Sequence, residues 1–267
     1  MALWHLTLAT DGRNPAFPDE DARRAAVHAV GRVLGPRLVM FALVDDHGHF
    51  VVFADAAEVG QVGRSIRLAL RALGADFQAA DVRAVADRGH MENLVNYLLT
   101  QPQHHKLPVH PATWTGSCFA DVVGARTVPG IKLRLADALP RFPLLDMMPS
   151  VLLPRAAIVR ATPDVLRAVG TTRIVSAAAA AFAAPVALRG RAPEANRARR
   201  AGASLAQNAG FGSADIARAL GITVRAAARL SGAPVEDVDV VRARLGLEEL
   251  AAIPRVEPVN KQGRKGK

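Results

Sequence analysis

Residues 37–55, RLVMFALVDDHGHFVVFAD, decide the fold of this chain. The stretch predicts two strands joined by a tight polar turn at Asp45 and Asp46, since apolar residues run on both sides of the acidic pair. The second strand begins with His47 and His49. Side chains two residues apart on a strand point to one face, so the two imidazoles are expected side by side. That arrangement suits a metal ion, and a lone His-x-His pair is also common without one.

The segments around this hairpin predict an α+β domain. Residues 2–10 alternate as a strand, a helix follows to Leu34, and a second helix covers residues 57–73. A short strand at 81–86 and a helix over 90–101, ended by Pro102, complete the series. The order strand, helix, hairpin, helix, strand, helix is typical of a ferredoxin-like (split βαβ) antiparallel sheet with helices on one face.

Charge points to a polyanionic partner. The 267 residues carry a formal net charge of +10, with a pI near 11.0 and a single cysteine, Cys118. One cysteine excludes an intramolecular disulfide and fits a reducing compartment. Nucleic acid and an anionic membrane are both polyanionic.

Two observations favour nucleic acid over a membrane. The opening MALWHLTLAT lacks the charged and long apolar regions of a signal peptide. The apolar run at residues 174–188 is short and rich in alanine, which predicts a packed helix. We therefore expect a cytoplasmic protein that binds DNA, with no membrane partner.

The helix over residues 90–101 carries a second polar signal. It holds the only tyrosine, Tyr97, and Gln101 follows four residues later on the same helical face. Leu94 and Leu98 belong to the neighbouring apolar face. A boundary tyrosine whose hydroxyl finds a partner would give the same pattern.

Four segments, in this order, together resemble one family. They are the opening strand and helix WHLTLATDGRNPAFPDEDARR, the hairpin LVDDHGHFVVF, the helix NYLLTQP and the tryptophan segment PATWTGSCF. The chain resembles the HUH-type tyrosine transposases of the IS200-like class, especially the REP-associated tyrosine transposases. The resemblance covers residues 1–125.

The resemblance implies chemistry at matching positions. His47, His49 and Gln101 would bind a divalent metal, Mg²⁺ or Mn²⁺, and Tyr97 would be the nucleophile. Tyr97 would attack a phosphodiester of a single-stranded DNA hairpin and form a 5′-phosphotyrosine. The 3′-hydroxyl of another strand would then attack that linkage, so that the outcome is strand transfer. Two imidazoles and an amide by themselves suggest zinc or another transition metal; the family implies magnesium or manganese, and we follow the family.

Departures from the family pattern keep a second interpretation open. Gly48 lies between the histidines where the family has a bulky hydrophobe, which predicts weaker packing and a looser strand. Aromatic residues make up only 4% of the chain, so surfaces on which bases stack are scarce. The alternative is a domesticated DNA-binding regulator with weak or no catalysis. A homodimer with shared active sites and a monomer are both found among such proteins.

The second half of the chain predicts a helical DNA-binding module. Residues 211–231, FGSADIARALGITVRAAARLS, resemble a helix-turn-helix, with Thr223 as the cap of its second helix and Gly221 in the turn. Between Arg189 and Arg229 there are eight arginines but only two acidic residues. A solvated basic face is the other interpretation. The residues predicted to contact duplex DNA are Arg197, Arg199, Arg200, Thr223, Arg225 and Arg229.

These patterns divide the chain into four parts. The transposase-like domain covers 1–125, a proline-rich connector with no site of its own covers 126–163, and the helical module covers 164–250. A basic tail over 251–267 is expected to be disordered.

Overall fold

The sheet has four strands, and all neighbouring pairs are antiparallel. The computed structural model describes residues 1–74, 76–230 and 232–253, without the side chain of Arg13. The strands are β1 (Ala2–Ala9), β2 (Leu38–Val44), β3 (His47–Ala54) and β4 (Asp81–Ala84), in the order β2-β3-β1-β4. With the helices that surround it, this sheet makes the chain an α+β protein, as the sequence predicts.

The hairpin of β2 and β3 forms as predicted, with Asp45 and Asp46 as its turn. Val44 pairs with His47 and Ala42 with His49. Every residue of β2 is buried, and β3 is buried along nearly all its length. Because residues directly opposite each other in an antiparallel pair share a face, both histidines lie on the face of Ala42 and Val44.

Helices cover both faces of the sheet. Helices α1 (Glu20–Leu34) and α2 (Val59–Arg71) pack together on one face, where Leu6 lies against α2 at Gly63. On the other face lies α3 (Arg88–Leu99), which contacts β2. The prediction that all helices share one face is therefore wrong, because α3 packs on the side that α1 and α2 leave uncovered.

The tryptophan segment extends the sheet beyond β2. The backbone N–H of Leu43 donates to the Gly116 carbonyl at 2.8 Å, and Ser117 bridges to Ala42. The indole of Trp114 donates to the Leu43 carbonyl at 2.8 Å. These bonds satisfy backbone groups at the edge of the sheet, which would otherwise be a template for another strand.

Several short helices follow this segment. They are α4 (Gln101–His104), α5 (Phe119–Val122) and α6 (Leu135–Ala138). The connector wraps around the first domain: the backbone N–H of Arg134 donates to the Leu38 carbonyl, and the Ser150 hydroxyl donates to Asn96 of α3 at 2.8 Å. The sequence predicts no site in the connector, yet a cavity of 520 Å³ lies between it and α5, lined mainly by apolar side chains.

The described residues of the second half form five helices around a core that is rich in alanine. They are α7 (Pro163–Ala181), α8 (Pro193–Asn208), α9 (Ser213–Leu220), α10 (Val224–Ala228) and α11 (Val235–Ala252). The alanine-rich run is a packed helix as expected, and Gly170 interrupts the regular geometry of α7 with a φ of 77°. Helix α11 continues two residues into the predicted tail; residues 254–267 of that tail lie outside the described residues.

The two halves are joined by direct contacts. Arg24 of α1 donates to the Ala184 carbonyl at 2.5 Å, and His28 donates to the Ala183 carbonyl at 3.1 Å. Ala243 and Leu247 of α11 belong to the core of the first half. None of the described helices combines the length and apolarity needed to cross a bilayer.

Candidate active site

The two histidines lie at the start of β3, on the face opposite α1 and α2. His47 and His49 are 5% and 3% exposed, so the protein holds both rings in place. Their ring centroids are 4.8 Å apart and nearly perpendicular. The strand geometry predicted from the sequence therefore brings the two imidazoles together.

Asp46 orients the first histidine. Its carboxylate Oδ1 accepts a hydrogen bond from His47 Nδ1 at 2.6 Å. A carboxylate accepts but does not donate, so Nδ1 carries a hydrogen. When His47 is neutral, its lone pair is on Nε2, which is the nitrogen available to a metal ion.

A third imidazole, which the sequence interpretation missed, contacts the second histidine. His5 of β1 stacks on His49 with ring centroids 5.3 Å apart, and His5 Nε2 lies 3.2 Å from His49 Nδ1. Thr7 Oγ1 lies 3.2 Å from the same nitrogen. The available signal was the alternation of β1, which puts His5 and Thr7 on one polar face, but only the pairing of β1 with β3 brings that face to His49.

His5 is neutral at neutral pH. Burial lowers its pKa to about 4, and the positive charges of Arg83 and His90 act in the same direction. Asp81 opposes them. A neutral imidazole has one donor and one acceptor nitrogen, which makes His5 a directional hydrogen-bond partner.

Helix α3 brings Tyr97 to the histidines. The helix begins at a cap formed by Asp87, whose carboxylate accepts the His90 N–H at 2.8 Å, and it buries its leucine face against the sheet. Tyr97 is 46% exposed, and its Oη lies 3.4 Å from His49 Nε2. This distance is long for a hydrogen bond.

Gln101 lies one turn beyond Tyr97, in α4. Its amide donates to the Tyr97 carbonyl at 3.1 Å, whereas its Oε1 is buried and accepts no hydrogen bond within the described residues. Pro102 does not end the helical region as predicted, since α3 stops at Leu99 and Pro102 lies in the first turn of α4, where proline is tolerated.

The donor set is compatible with the metal that the resemblance implies. A buried amide oxygen that lacks a partner is the kind of atom that a cation satisfies. Together with two imidazoles it would offer an N₂O set, to which phosphate oxygens and water could be added. Among the described residues, no group of three His, Cys, Asp or Glu side chains is arranged to hold a metal, and the predicted set differs in using an amide.

Two further histidines extend the row. The ring of His105 lies 4.8 Å from that of His47, and His104 lies 5.3 Å from His105. Both are exposed at the end of α4. Sequence reasoning missed them because their positions follow from the turn at Pro102 rather than from any periodic pattern.

Gly48 leaves no packing gap in β3, which corrects the expectation of weaker packing. It pairs in register with both Leu8 and Leu43. A Cβ on Gly48 would come within 3.0 Å of the Phe50 ring and 2.9 Å of Leu43 Cδ2. The Phe50 ring thus fills the space that a bulky residue at position 48 would need.

The arginines of α8 are largely engaged within the protein. Arg197 pairs with Asp237 at 2.6 Å and lies over the Phe182 ring at 4.7 Å, which gives it a structural role. Arg199 donates to the Gly190 carbonyl at 2.8 Å, and Arg200 donates to the Gly232 carbonyl at the same distance.

Helices α9 and α10 flank a tight turn. Gly221 ends α9 with a φ of 64°, and the Thr223 hydroxyl accepts from the Ala226 N–H at 3.2 Å at the start of α10. Helix α10 has five residues and ends at Ala228. Arg225 on α10 and Arg229 directly after it are both exposed.

Comparison with protein-family models, with curated proteins and with solved structures finds no match for this chain.

Proposed function

We propose that this protein is a single-strand DNA transesterase of the HUH tyrosine transposase type, with Tyr97 as its nucleophile. The observation that carries the proposal is the Tyr97 hydroxyl, 3.4 Å from His49 Nε2 on a residue that is 46% exposed. A tyrosine with a packing role would bury its ring in the core. Tyr97 instead combines access for a polymeric substrate with a place beside paired imidazoles.

The strand order supports the fold that this class implies. Two βαβ units, β1-α1-β2 and β3-α2-β4, whose strands interleave as β2-β3-β1-β4 are what a split βαβ, ferredoxin-like arrangement requires. In the proposed enzyme, the face of the sheet opposite α1 and α2 carries the histidines, and α3 brings the tyrosine to that face.

His47, His49 and Gln101 would hold a divalent metal, Mg²⁺ or Mn²⁺, through two Nε2 atoms and Oε1. When bound, such an ion polarises the scissile phosphate and offsets its charge. Asp46 keeps the His47 ring in the orientation this requires. The hydrogen bond from Gln101 to the Tyr97 carbonyl ties the amide to the helix that carries the nucleophile.

The proposed reaction exchanges one phosphoester bond for another. Tyr97 Oη forms a bond to phosphorus, and the bond from phosphorus to the 3′-oxygen of the DNA breaks. The hydroxyl proton of Tyr97 is lost and the 3′-oxygen gains one, so the products are a 5′-phosphotyrosine and a 3′-hydroxyl. The 3′-hydroxyl of another strand reverses the reaction, which gives strand transfer.

We propose that the site is assembled within one chain. Tyr97 contacts the histidine of its own sheet, and Ser150 of the connector holds α3 from outside through Asn96. A homodimer is then not needed to complete the chemistry.

The second half is proposed to bind duplex DNA. Helices α9 and α10, with the glycine turn and the Thr223 cap, have the form of a helix-turn-helix with a short second helix. Arg225 on α10 and Arg229 directly after it are exposed cations, and Arg200 donates to the Gly232 carbonyl, three residues beyond Arg229. These groups suit phosphate contacts.

A covalent adduct tests the enzyme proposal. The protein is mixed with single-stranded hairpins from the DNA that flanks its gene, with magnesium or manganese, and resolved by denaturing electrophoresis. A Tyr97-dependent adduct is expected. Tyr97→Phe should abolish the adduct and leave DNA affinity nearly unchanged, because only the nucleophilic oxygen is removed.

The matched control is Phe142→Leu, a change to a partly buried residue of the connector that should leave the adduct intact. His49→Ala or chelation should remove the adduct through loss of the metal. If no adduct forms with either metal while duplex binding persists, the domesticated regulator replaces the enzyme proposal.

Salt dependence tests the duplex-binding proposal. The double variant Arg225→Ala/Arg229→Ala should weaken duplex binding and lower the slope of log K against log salt by about 1 for each phosphate that is no longer neutralised. The charge-matched control is Arg64→Ala/Arg71→Ala on α2, which should bind as the wild type does. Equally weakened binding in both variants would point to net charge rather than to α10.

A further inference from the structure

Both histidines of the pair have Nδ1 in contact with another polar group. His47 Nδ1 meets Asp46 at 2.6 Å, and His49 Nδ1 meets His5 Nε2 at 3.2 Å. A histidine that serves a metal or a reacting group through one nitrogen is fixed by what the other nitrogen bonds. The two contacts therefore bear on which nitrogen each ring presents to Tyr97.

We propose that His5 is a positioning residue that accepts the Nδ1 hydrogen of His49, so that the lone pair of His49 lies on Nε2, facing Tyr97 Oη. This inference rests on the proposed function in one respect, namely that Nε2 is the nitrogen the reaction uses. The tautomer of His49 can be measured in the protein without DNA or metal, whether or not the protein is an enzyme.

The fold brings His5 to this contact from a distance. Thr7 pairs directly with His49 across β1 and β3, and His5 lies two residues before Thr7 on the same face. The rings of His5 and His49 stack at 5.3 Å with an interplanar angle of 29°, which limits rotation of either ring. The register between β1 and β3 thus fixes the distance between His5 Nε2 and His49 Nδ1.

Chemistry leaves two arrangements of the shared hydrogen. If His49 Nδ1 donates to His5 Nε2, then Nε2 of His49 carries a lone pair. If His5 Nε2 donates instead, the hydrogen of His49 is on Nε2 and points at Tyr97. Thr7 Oγ1, at 3.2 Å, can donate or accept and fits either arrangement.

The first histidine favours the former arrangement. Because Asp46 can only accept, His47 carries its hydrogen on Nδ1. With His5 as acceptor, both rings carry their lone pair on the same nitrogen, Nε2, and that of His49 faces Tyr97 Oη. Two rings with the same tautomer can both offer Nε2 as a ligand atom, whereas a protonated Nε2 on His49 could not bind an ion.

Nitrogen NMR of the metal-free full-length protein tests the tautomer directly. With ¹⁵N-labelled histidine at neutral pH, the His49 signals are assigned by their disappearance in His49→Gln. We expect a protonated Nδ1 and an unprotonated Nε2 in the wild type. In His5→Phe, which keeps a ring in the stack but has no acceptor, the population with a hydrogen on Nε2 should rise.

Adduct kinetics provide the second measurement. His5→Phe should slow single-turnover formation of the Tyr97 adduct by between about 10- and 100-fold, the range for removal of a group that orients a metal-binding histidine. DNA affinity should not change. His5→Gln, which can place an amide acceptor near the position of Nε2, should recover most of the rate. The control is His28→Gln on α1, which changes a part-buried histidine on the opposite face of the sheet and should leave the rate unchanged.

Failure of the inference differs from failure of the proposed function. A wild-type spectrum with the hydrogen on Nε2, or a tautomer that is unchanged in His5→Phe, overturns the role of His5 whatever the activity. A decrease in rate in His5→Gln equal to that in His5→Phe also overturns it, since packing alone would then explain the effect. Absence of any adduct in the wild type overturns the proposed function and leaves the tautomer measurement to decide the inference.

Discussion

Phe50 and Gly48 act as one packing unit beneath the histidine pair. Phe50 is fully buried, and its ring is 3.0 Å from where a Cβ of Gly48 would lie. Protein interiors are close-packed, so two large side chains do not fit there together. The side chain of residue 50 thereby compensates for the glycine between the histidines.

Gly48→Val should destabilise the protein by about 1–3 kcal/mol, because the added methyl groups overpack the space that Phe50 fills. Urea unfolding measures the change. Phe50→Leu alone should also destabilise the protein, but in the double variant the two costs should partly cancel. Strict additivity of the two changes would contradict the shared space.

At the scale of elements, the segment around Trp114 protects the edge of the sheet. Gly116 lies so close to β2 that a Cβ there would be 2.1 Å from the Leu43 carbonyl oxygen. Arg126, 3% exposed, donates to the Thr115 carbonyl at 2.5 Å and pairs with Asp121, which holds the segment from behind. Only glycine allows this approach of two backbones.

Gly116→Ala should therefore cost about 3 kcal/mol or more, since the obstructing atom belongs to the backbone and does not move aside. Thermal and urea unfolding measure the decrease in stability. Gly60→Ala on α2 is the matched control: nothing lies within 4 Å of the added Cβ, and the change should be neutral or stabilising by about 0.5–1 kcal/mol. Similar behaviour of the two variants would show that the close approach is not required.

At the scale of the whole molecule, α1 joins the two halves through polar contacts to the segment after α7. His28 is part of this contact through the Ala183 carbonyl. Burial lowers the pKa of His28; Glu194 and the backbone bonds oppose that shift, and Arg32 adds to it. Protonation of His28 is thus less favourable in the folded protein than in the unfolded chain.

The sign of the pH dependence follows from this lowered pKa. The stability linked to neutral His28 is fully present above the ordinary histidine value of 6.5 and is lost as pH falls through that value towards the folded pKa. Urea unfolding on either side of pH 6.5 should show a decrease on the acid side. His28→Gln keeps a donor for Ala183 but does not titrate, so its decrease should be smaller. His5 is unchanged in both proteins, and an identical pH profile would exclude His28 as the cause.

Local patterns alone determined most elements of this protein. The hairpin and its turn at Asp45 and Asp46, the end of α1 at Leu34 and the shared face of His47 and His49 follow from alternation, capping and strand geometry within a few residues. The shared helical face of Tyr97 and Gln101 follows from their spacing of four residues. Such features depend on residues that are close in sequence, so they can be predicted from one sequence alone.

Only the tertiary structure decided what those elements touch. The register between β1 and β3 brings His5 to His49 across more than 40 residues, the uncovered face of the sheet receives α3, and Phe50 fills the space beside Gly48. Arg197 is paired with Asp237 rather than displayed as a free cation. Each of these contacts except that of Phe50 with Gly48 joins segments that are distant in sequence. Local propensity does not distinguish between alternative tertiary arrangements of the same elements, and the packing of the whole core selects one of them.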